Sequence, residues 1–254
     1  MSTKKLFLAA MLLIMGGILG GNSLPKITGN HPQALEARRF LETKGILAKE
    51  NLDRELGNLT NSTPDVEVYD WLAVVNAYRH LSDHQAWDIS EYICNRILST
   101  RVSNSDAVSR FHAYTYLSKI KGRKKIPKDE LKFANCALDE AKKIPKPNKF
   151  IIEAYLRIGD YYINIRGSHQ DVKDCYQEAL KLASEMRDSN LKVKAYQGMA
   201  NACTSLRSEP GYRDAIHYYR EILKINPDDM NAVRSLHLVE WYMNELKRSQ
   251  LIKK

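Results

Sequence analysis

Glycine and the short motifs of common enzyme classes are scarce or missing in this 254-residue chain. Four of its twelve glycines lie in the N-terminal apolar segment, which leaves eight for about 230 residues. Turn-rich β proteins and phosphate-binding α/β enzymes usually contain more glycine, because glycine permits sharp turns and a close approach of the backbone to phosphate. The chain also has no Gly-x-Ser-x-Gly and no His-Glu-x-x-His motif. We therefore expect a helical protein without catalytic residues, cofactor or metal site.

The N-terminus has the pattern of an export signal. Two lysines precede an uncharged apolar run at residues 6–19, and small residues follow it. A helix of that length spans about 21 Å, which is shorter than the roughly 30 Å hydrocarbon core of a membrane. We expect residues 1–24 to be a signal peptide, so that the mature protein is periplasmic or secreted. Anchoring to a membrane by residues 6–25 is the alternative.

The rest of the chain contains an internal repeat. The segments AYTYLSKI, AYLRIGDY and AYQGMANA begin at Ala113, Ala154 and Ala195, 41 residues apart. Each has tyrosine and, three residues later, an apolar residue on the same helical face, followed by a small residue that permits a close helix crossing. A turn and a second amphipathic segment follow each copy, so the pattern predicts a series of helix pairs.

Other predicted helices surround these three motifs. The second helices of the pairs are expected at Leu131–Ala141, Val172–Ala183 and Tyr212–Ile225. Their preceding turns are expected to hold Gly122 and Pro127, Gly167, and Pro210 with Gly211. Further helices are expected at Ala34–Leu56 (one or two), Asp70–Leu81, Ala86–Leu98 and Met230–Lys247. Strand-like alternation is confined to residues 66–69, just before a predicted helix.

The repeat resembles the tetratricopeptide (TPR) superfamily, especially its members with 40-to-42-residue repeats. The residues that carry the resemblance are Tyr155, Ile158, Gly159, Tyr196, Met199, Ala200, Ala215, Tyr219 and Pro227. The resemblance implies an all-α, right-handed superhelical solenoid of antiparallel helix pairs over residues 65–254, with a C-terminal capping helix. An N-terminal helical region, residues 25–64, would precede it.

The TPR resemblance implies a non-catalytic adaptor or scaffold that binds a partner peptide or subunit in the concave groove. First-helix positions expected to face that groove are Asn76, Arg79, His112, Lys119, Arg123, Asp160, Asn164, Lys194, Gln197 and Asn201. The residue set by which some TPR proteins bind a C-terminal carboxylate does not occur at the matching positions. The alternative is a peptide-sensing regulator that changes shape on ligand binding.

Basic residues are concentrated between residues 119 and 149, where eleven Lys and Arg stand against four acids. The centre of this basic patch is Lys121, Arg123, Lys124, Lys125 and Lys128. A solvated lysine-rich turn is the simpler interpretation. The functional one is a landing site for an acidic protein or an anionic membrane surface. Nucleic acid is not expected, because aromatic residues of the kind that stack bases do not alternate with these cations.

The four cysteines are Cys94, Cys136, Cys175 and Cys203, none in the Cys-x-x-Cys spacing of zinc or redox sites. The first three recur about one repeat apart. Equivalent positions on packed helices are about 8–10 Å apart at the axes, whereas a disulfide needs Cα atoms within about 7 Å. We expect small apolar core residues rather than disulfides, although pairing stays open.

Overall fold

The structure, a computed structural model, describes residues 32–44, 49–59, 63–79, 83–145 and 149–252. These ranges contain eleven α-helices, one short 3₁₀ helix and no strand, which confirms the predicted all-α fold. They divide into two compact units, one ending at Ile126 and one beginning at Pro127. The division falls inside residues 65–254, which the repeat pattern groups as one domain.

Residues 1–24, predicted to be a signal peptide, and residues 6–25, the alternative membrane anchor, lie outside the described residues. Among the helices that are described, none combines the length and the apolar character needed to cross a membrane.

The first unit is built around one central helix. Its elements are α1 (Pro32–Thr43), α2 (Lys49–Gly57), α3 (Asp65–Tyr78), α4 (His84–Thr100), a 3₁₀ turn (Asn104–Asp106) and α5 (Ala107–Arg123). Helix α3 contacts α1, α4 and α5, and α4 also contacts α5. Its Trp71 and Tyr78 are buried, together with Phe111 of α5. Residues 66–69 are the first turn of α3 rather than a strand; Asp65 and Glu67 favour a helix start there.

The second unit is more regular. Its helices are α6 (Pro127–Lys143), α7 (Lys149–Asn164), α8 (His169–Glu185), α9 (Ser189–Ser205), α10 (Glu209–Ile225) and α11 (Met230–Ile252). Each helix contacts the next one along the chain, and α7 also contacts α9. This is the sequential packing of a helical-repeat protein. The helix pairs α7–α8 and α9–α10 are the two predicted repeats with the strongest motifs.

Side-chain caps fix where the helices of this unit begin. Ser168 Oγ accepts a hydrogen bond from the backbone N–H of Gln170 at 3.2 Å, and Ser208 Oγ accepts one from Gly211 at 3.2 Å. Gly211 and the proline before it therefore belong to the first turn of α10, and Pro127 begins α6. The expectation that they lie in the turns is wrong, because the first helical N–H groups have no acceptor and proline is tolerated there.

Four basic residues end helices in the left-handed backbone conformation. They are Lys125, Arg166, Arg187 and Arg207, with φ between 48° and 57°. Lys125, Arg166 and Arg207 follow the three Ala-Tyr helices at intervals of 41 residues, so backbone geometry repeats with the sequence motif. Glycine is the usual residue in this conformation. Positive charge at a helix C-terminus is favourable because of the helix dipole, which accounts for the basic residues.

Candidate functional site

Helices α7 and α9 lie side by side because of a tyrosine and two glycines. The ring of Tyr176, on α8, lies against the backbone of both helices at Gly159 and Gly198. A Cβ atom on Gly198 would come within 2.1 Å of Tyr176 Cε1, and one on Gly159 within 2.8 Å of Cζ. Gly159 is the small residue of the repeat motif, whereas the role of Gly198 is not apparent in the sequence.

Two buried tyrosines each hold an exposed side chain of the preceding helix. Tyr176 Oη donates to Asp160 Oδ1 at 2.6 Å, and Tyr219 Oη donates to Asn201 Oδ1 at 3.0 Å. Asp160 and Asn201 are equivalent positions, 41 residues apart, and both were predicted to bind a partner. Burial raises the pKa of Tyr176 above its usual range, and the nearby Asp160 charge raises it further. The phenol therefore remains a donor at neutral pH.

The structure places five of the predicted partner-binding residues on these two adjacent helices. Asp160 and Asn164 lie one turn apart on α7, and Lys194, Gln197 and Asn201 follow one stripe of α9. Gln197 is half-buried and its Nε2 donates to Asn201 Oδ1 at 3.3 Å, while the other four are exposed. We call these five residues the α7–α9 face.

Predicted partner-binding residues of the first unit contribute to packing instead. Asn76 is buried, and its Oδ1 accepts a hydrogen bond from Arg79 Nε at 2.8 Å. The Arg79 guanidinium lies 5.3 Å from the centroid of the Tyr116 ring, against which His112 is stacked. Lys119 is half-buried. These contacts tie α3 to α5.

Part of the basic patch is neutralised within the first unit. Lys121 Nζ lies 2.6 Å from Glu91 Oε1, and Lys124 Nζ lies 2.5 Å from Asp88 and 2.7 Å from Glu91. Burial alone would raise the pKa of Glu91, but hydrogen bonds from the two lysines and their charges hold it below the usual value. Two of the five predicted cations are thus partners of acids on α4.

The other three residues of the basic patch are exposed. Arg123 lies with its guanidinium 5.9 Å from the centroid of the Trp87 ring, a cation–π contact within the first unit. Lys125 and Lys128 are exposed in the first and second unit, respectively. The patch thus presents fewer solvated cations than its sequence suggests.

All four cysteines are free thiols. Cys94 and Cys203 are buried, as predicted for core residues, whereas Cys136 and Cys175 are half-buried. Burial raises the pKa of Cys175 and of Cys203 to about 11, and nearby aspartates contribute to the increase. These two thiols are therefore protonated at neutral pH and poor nucleophiles.

An open pocket of about 480 Å³ in the second unit was not anticipated from the sequence. Its lining comes from α7, α8, α9 and the turns that follow α7 and α9: Tyr162, Ile163, Arg166, Gly167, His169, Val172, Ala202, Ser205, Leu206 and Arg207. The available signal was the pair of arginines 41 residues apart, each just past a first helix of a repeat. Elsewhere in the described ranges, no cluster of three or more His, Cys, Asp or Glu side chains is suited to a metal ion.

No protein-family model matches the chain, and no curated protein matches it. The interpretation of the site therefore depends on this chain's own residues.

Proposed function

We propose that the protein is a non-catalytic interaction module that binds a partner peptide or subunit on the α7–α9 face. The proposal is supported above all by the repeated tyrosine anchors, which hold Asp160 and Asn201 at equivalent positions of adjacent helices. A polar side chain that is already fixed loses little conformational freedom when a ligand binds, so it favours recognition. The TPR-like superhelix, with this face on its concave side, is part of the same proposal.

The chemistry of the face suits an extended peptide. It offers one carboxylate, one ammonium and three amides, which together can donate to and accept from a peptide backbone. Such mixed polar groups give orientation and specificity to a bound peptide.

The anionic-membrane alternative has weaker support. Lys121 and Lys124 are already paired with acids of α4, so binding a lipid headgroup would require those ion pairs to be exchanged. Surface charge alone also occurs on many proteins as a solvated face.

Photo-crosslinking of the full-length protein in its producing cells tests the proposal. A photoreactive amino acid at Asn164, on the face, should yield a discrete crosslinked protein. The same substitution at Gln177, which is exposed on α8, should not. Equal crosslinking at both positions would show that this face is not the binding surface.

A charge reversal on the face gives a second, matched test. Lys194→Glu should reduce the crosslinked product by about tenfold, as expected when a contacting charge is reversed. Lys181→Glu makes the same change at an exposed position of α8 and should leave the product unchanged. An equal loss in both variants would indicate a general charge effect and contradict the proposal.

A further inference from the structure

The pocket beside Arg166 and Arg207 has the size of a small-molecule site. Its volume of about 480 Å³ lies within the roughly 300–1,000 Å³ range of ligand pockets. It lies between two turns of successive repeats, the α7–α8 turn and the α9–α10 turn, which supply one arginine each. The repeat therefore places two arginines at equivalent positions in the lining of one open cavity.

The charged residues that line the pocket are arginines, although burial raises the pKa of the lining residue Tyr162 and the charge of Asp171 on α8 raises it further. Arg166, Arg207 and His169 line the pocket, and no acidic side chain is among the lining residues. Neither guanidinium forms an ion pair with any acid in the part of the chain that the structure describes. Both arginines are exposed, and a bound anion would interact favourably with their two positive charges.

The helix dipole explains why such residues are basic but not why two of them share a pocket. In the described ranges, the four non-glycine residues with left-handed backbone are all cationic, yet Lys125 and Arg187 do not line this cavity. Arg187 is therefore a matched control: it has the same backbone conformation, lies in the same unit and is exposed.

Half of the ten residues that line the pocket have largely apolar side chains. They are Tyr162, Ile163, Val172, Ala202 and Leu206. A ligand that contains only an anion would leave this surface in contact with water. A ligand with an apolar or aromatic body would bury it and gain about 25 cal/mol for each Å² removed from water.

The donor set favours phosphate over carboxylate. A single arginine fork satisfies both oxygens of a carboxylate, whereas a phosphate monoester has three terminal oxygens and a charge near −2. Two arginine side chains match that charge, and the His169 imidazole can supply a further donor. We propose that this pocket binds a small organic phosphate monoester with an apolar body.

Calorimetric titration of the full-length protein at low ionic strength tests the proposal with three probes. Phenyl phosphate carries both features, inorganic phosphate lacks the apolar body, and benzoate replaces the phosphate by a carboxylate. We expect one saturable phenyl phosphate site per chain, with an affinity about tenfold higher than for either other probe. Non-saturable binding, or equal affinity for benzoate or inorganic phosphate, would overturn the proposal.

Variants locate the site. Arg166→Gln combined with Arg207→Gln should weaken phenyl phosphate binding by about tenfold or more, because two charge-assisted contacts are lost. Arg187→Gln should leave the affinity unchanged, and an equal loss in this control would overturn the assignment. If the double variant fails to fold, Arg166→Gln and Arg207→Gln are tested singly. Each should bind phenyl phosphate more weakly than Arg187→Gln does.

No residue of the α7–α9 face lines the pocket, so we expect the two sites to act separately. Lys194→Glu, which tests the α7–α9 face, should not change phenyl phosphate affinity. A parallel loss of partner crosslinking and phenyl phosphate binding in that variant would overturn the separation of the two sites.

Discussion

In the first unit, long arginine side chains reach backbone carbonyls of distant segments, whereas in the second unit tyrosines tie adjacent helices. Arg96 Nε donates to the carbonyl oxygen of Leu56 at 2.8 Å, and its Nη2 donates to that of Leu59 at 3.2 Å. In the second unit, Tyr176 and Tyr219 make the same kind of hydrogen bond one repeat apart. The tyrosine hydrogen bond therefore recurs in the next repeat, whereas the Arg96 hydrogen bonds join segments 37 to 40 residues apart in the sequence.

The difference reflects the regularity of the two segments. In the two helix pairs α7–α8 and α9–α10, the same hydrogen bond from a rigid tyrosine ring occurs once in each pair. Where the chain is irregular, a guanidinium group can satisfy several carbonyls at the end of a helix, as Arg96 does after α2. Regular packing thus tolerates little change at its small residues, while the first unit depends on individual charged contacts.

The largest expected effect is at a glycine of the second unit. Gly198→Ala should cost about 3 kcal/mol, because the added methyl group would overlap Tyr176 and force the ring or a helix to move. Amide hydrogen exchange should then accelerate by about 100-fold in α7 to α9 and remain unchanged in the first unit.

Gly57→Ala is the control from the first unit. No atom lies within 4 Å of the position of its Cβ, and alanine favours the helix, so stability should be unchanged or slightly higher. A Gly198→Ala protein as stable as Gly57→Ala would show that the close tyrosine contact is not what holds α7 and α9 together.

A smaller effect should distinguish two buried tyrosines. Tyr176→Phe removes the hydrogen bond to Asp160 and should cost about 1 kcal/mol. Tyr78→Phe, in the first unit, removes a buried hydroxyl that has no partner among the described residues and should be neutral or stabilising by up to about 1 kcal/mol. Urea denaturation followed by circular dichroism measures both.

The two tyrosine variants also test whether the anchors are specific to the repeats. Equal destabilisation by both substitutions would mean that the Asp160 contact adds nothing beyond ordinary burial of the ring. The comparison between the units would then lose its energetic basis.

Most of the fold follows from local patterns, whereas the contacts between helices do not. The 3.6-residue apolar periodicity and the repeated Ala-Tyr motif predict the helices of the second unit, and the same alignment makes Asp160 and Asn201 equivalent positions. The Gly198–Tyr176 contact and the pairing of Lys124 with Asp88 join residues 22 and 36 positions apart. No local pattern specifies such pairs, so the glycine was missed and the basic patch was predicted to be more solvated than it is.

The smallest expected effect is a difference in pH dependence between two carboxyl groups. The pKa of Glu91 in the first unit is lowered, because Lys121 and Lys124 outweigh burial. The pKa of Glu130 in the second unit is raised, because burial outweighs the charge and hydrogen bond of Arg157. A lowered pKa adds stability above the pKa of the unfolded chain and loses it as the pH falls; a raised pKa has the opposite effect.

Urea titrations of the wild type, Glu91→Gln and Glu130→Gln between pH 7 and pH 3 give the stability difference between the wild type and each variant. The slopes of these two differences against pH should have opposite signs. The stability advantage of the wild type over Glu91→Gln should shrink on acidification, by on the order of 1 kcal/mol. Relative to Glu130→Gln, the wild type should gain stability as Glu130 takes up its proton. The pH dependence of each stability difference is compared rather than its absolute size, because Glu130→Gln also leaves Arg157 without its carboxylate. Slopes of the same sign would contradict the opposite pKa shifts of Glu91 and Glu130, and the sign would show which of the two is wrong.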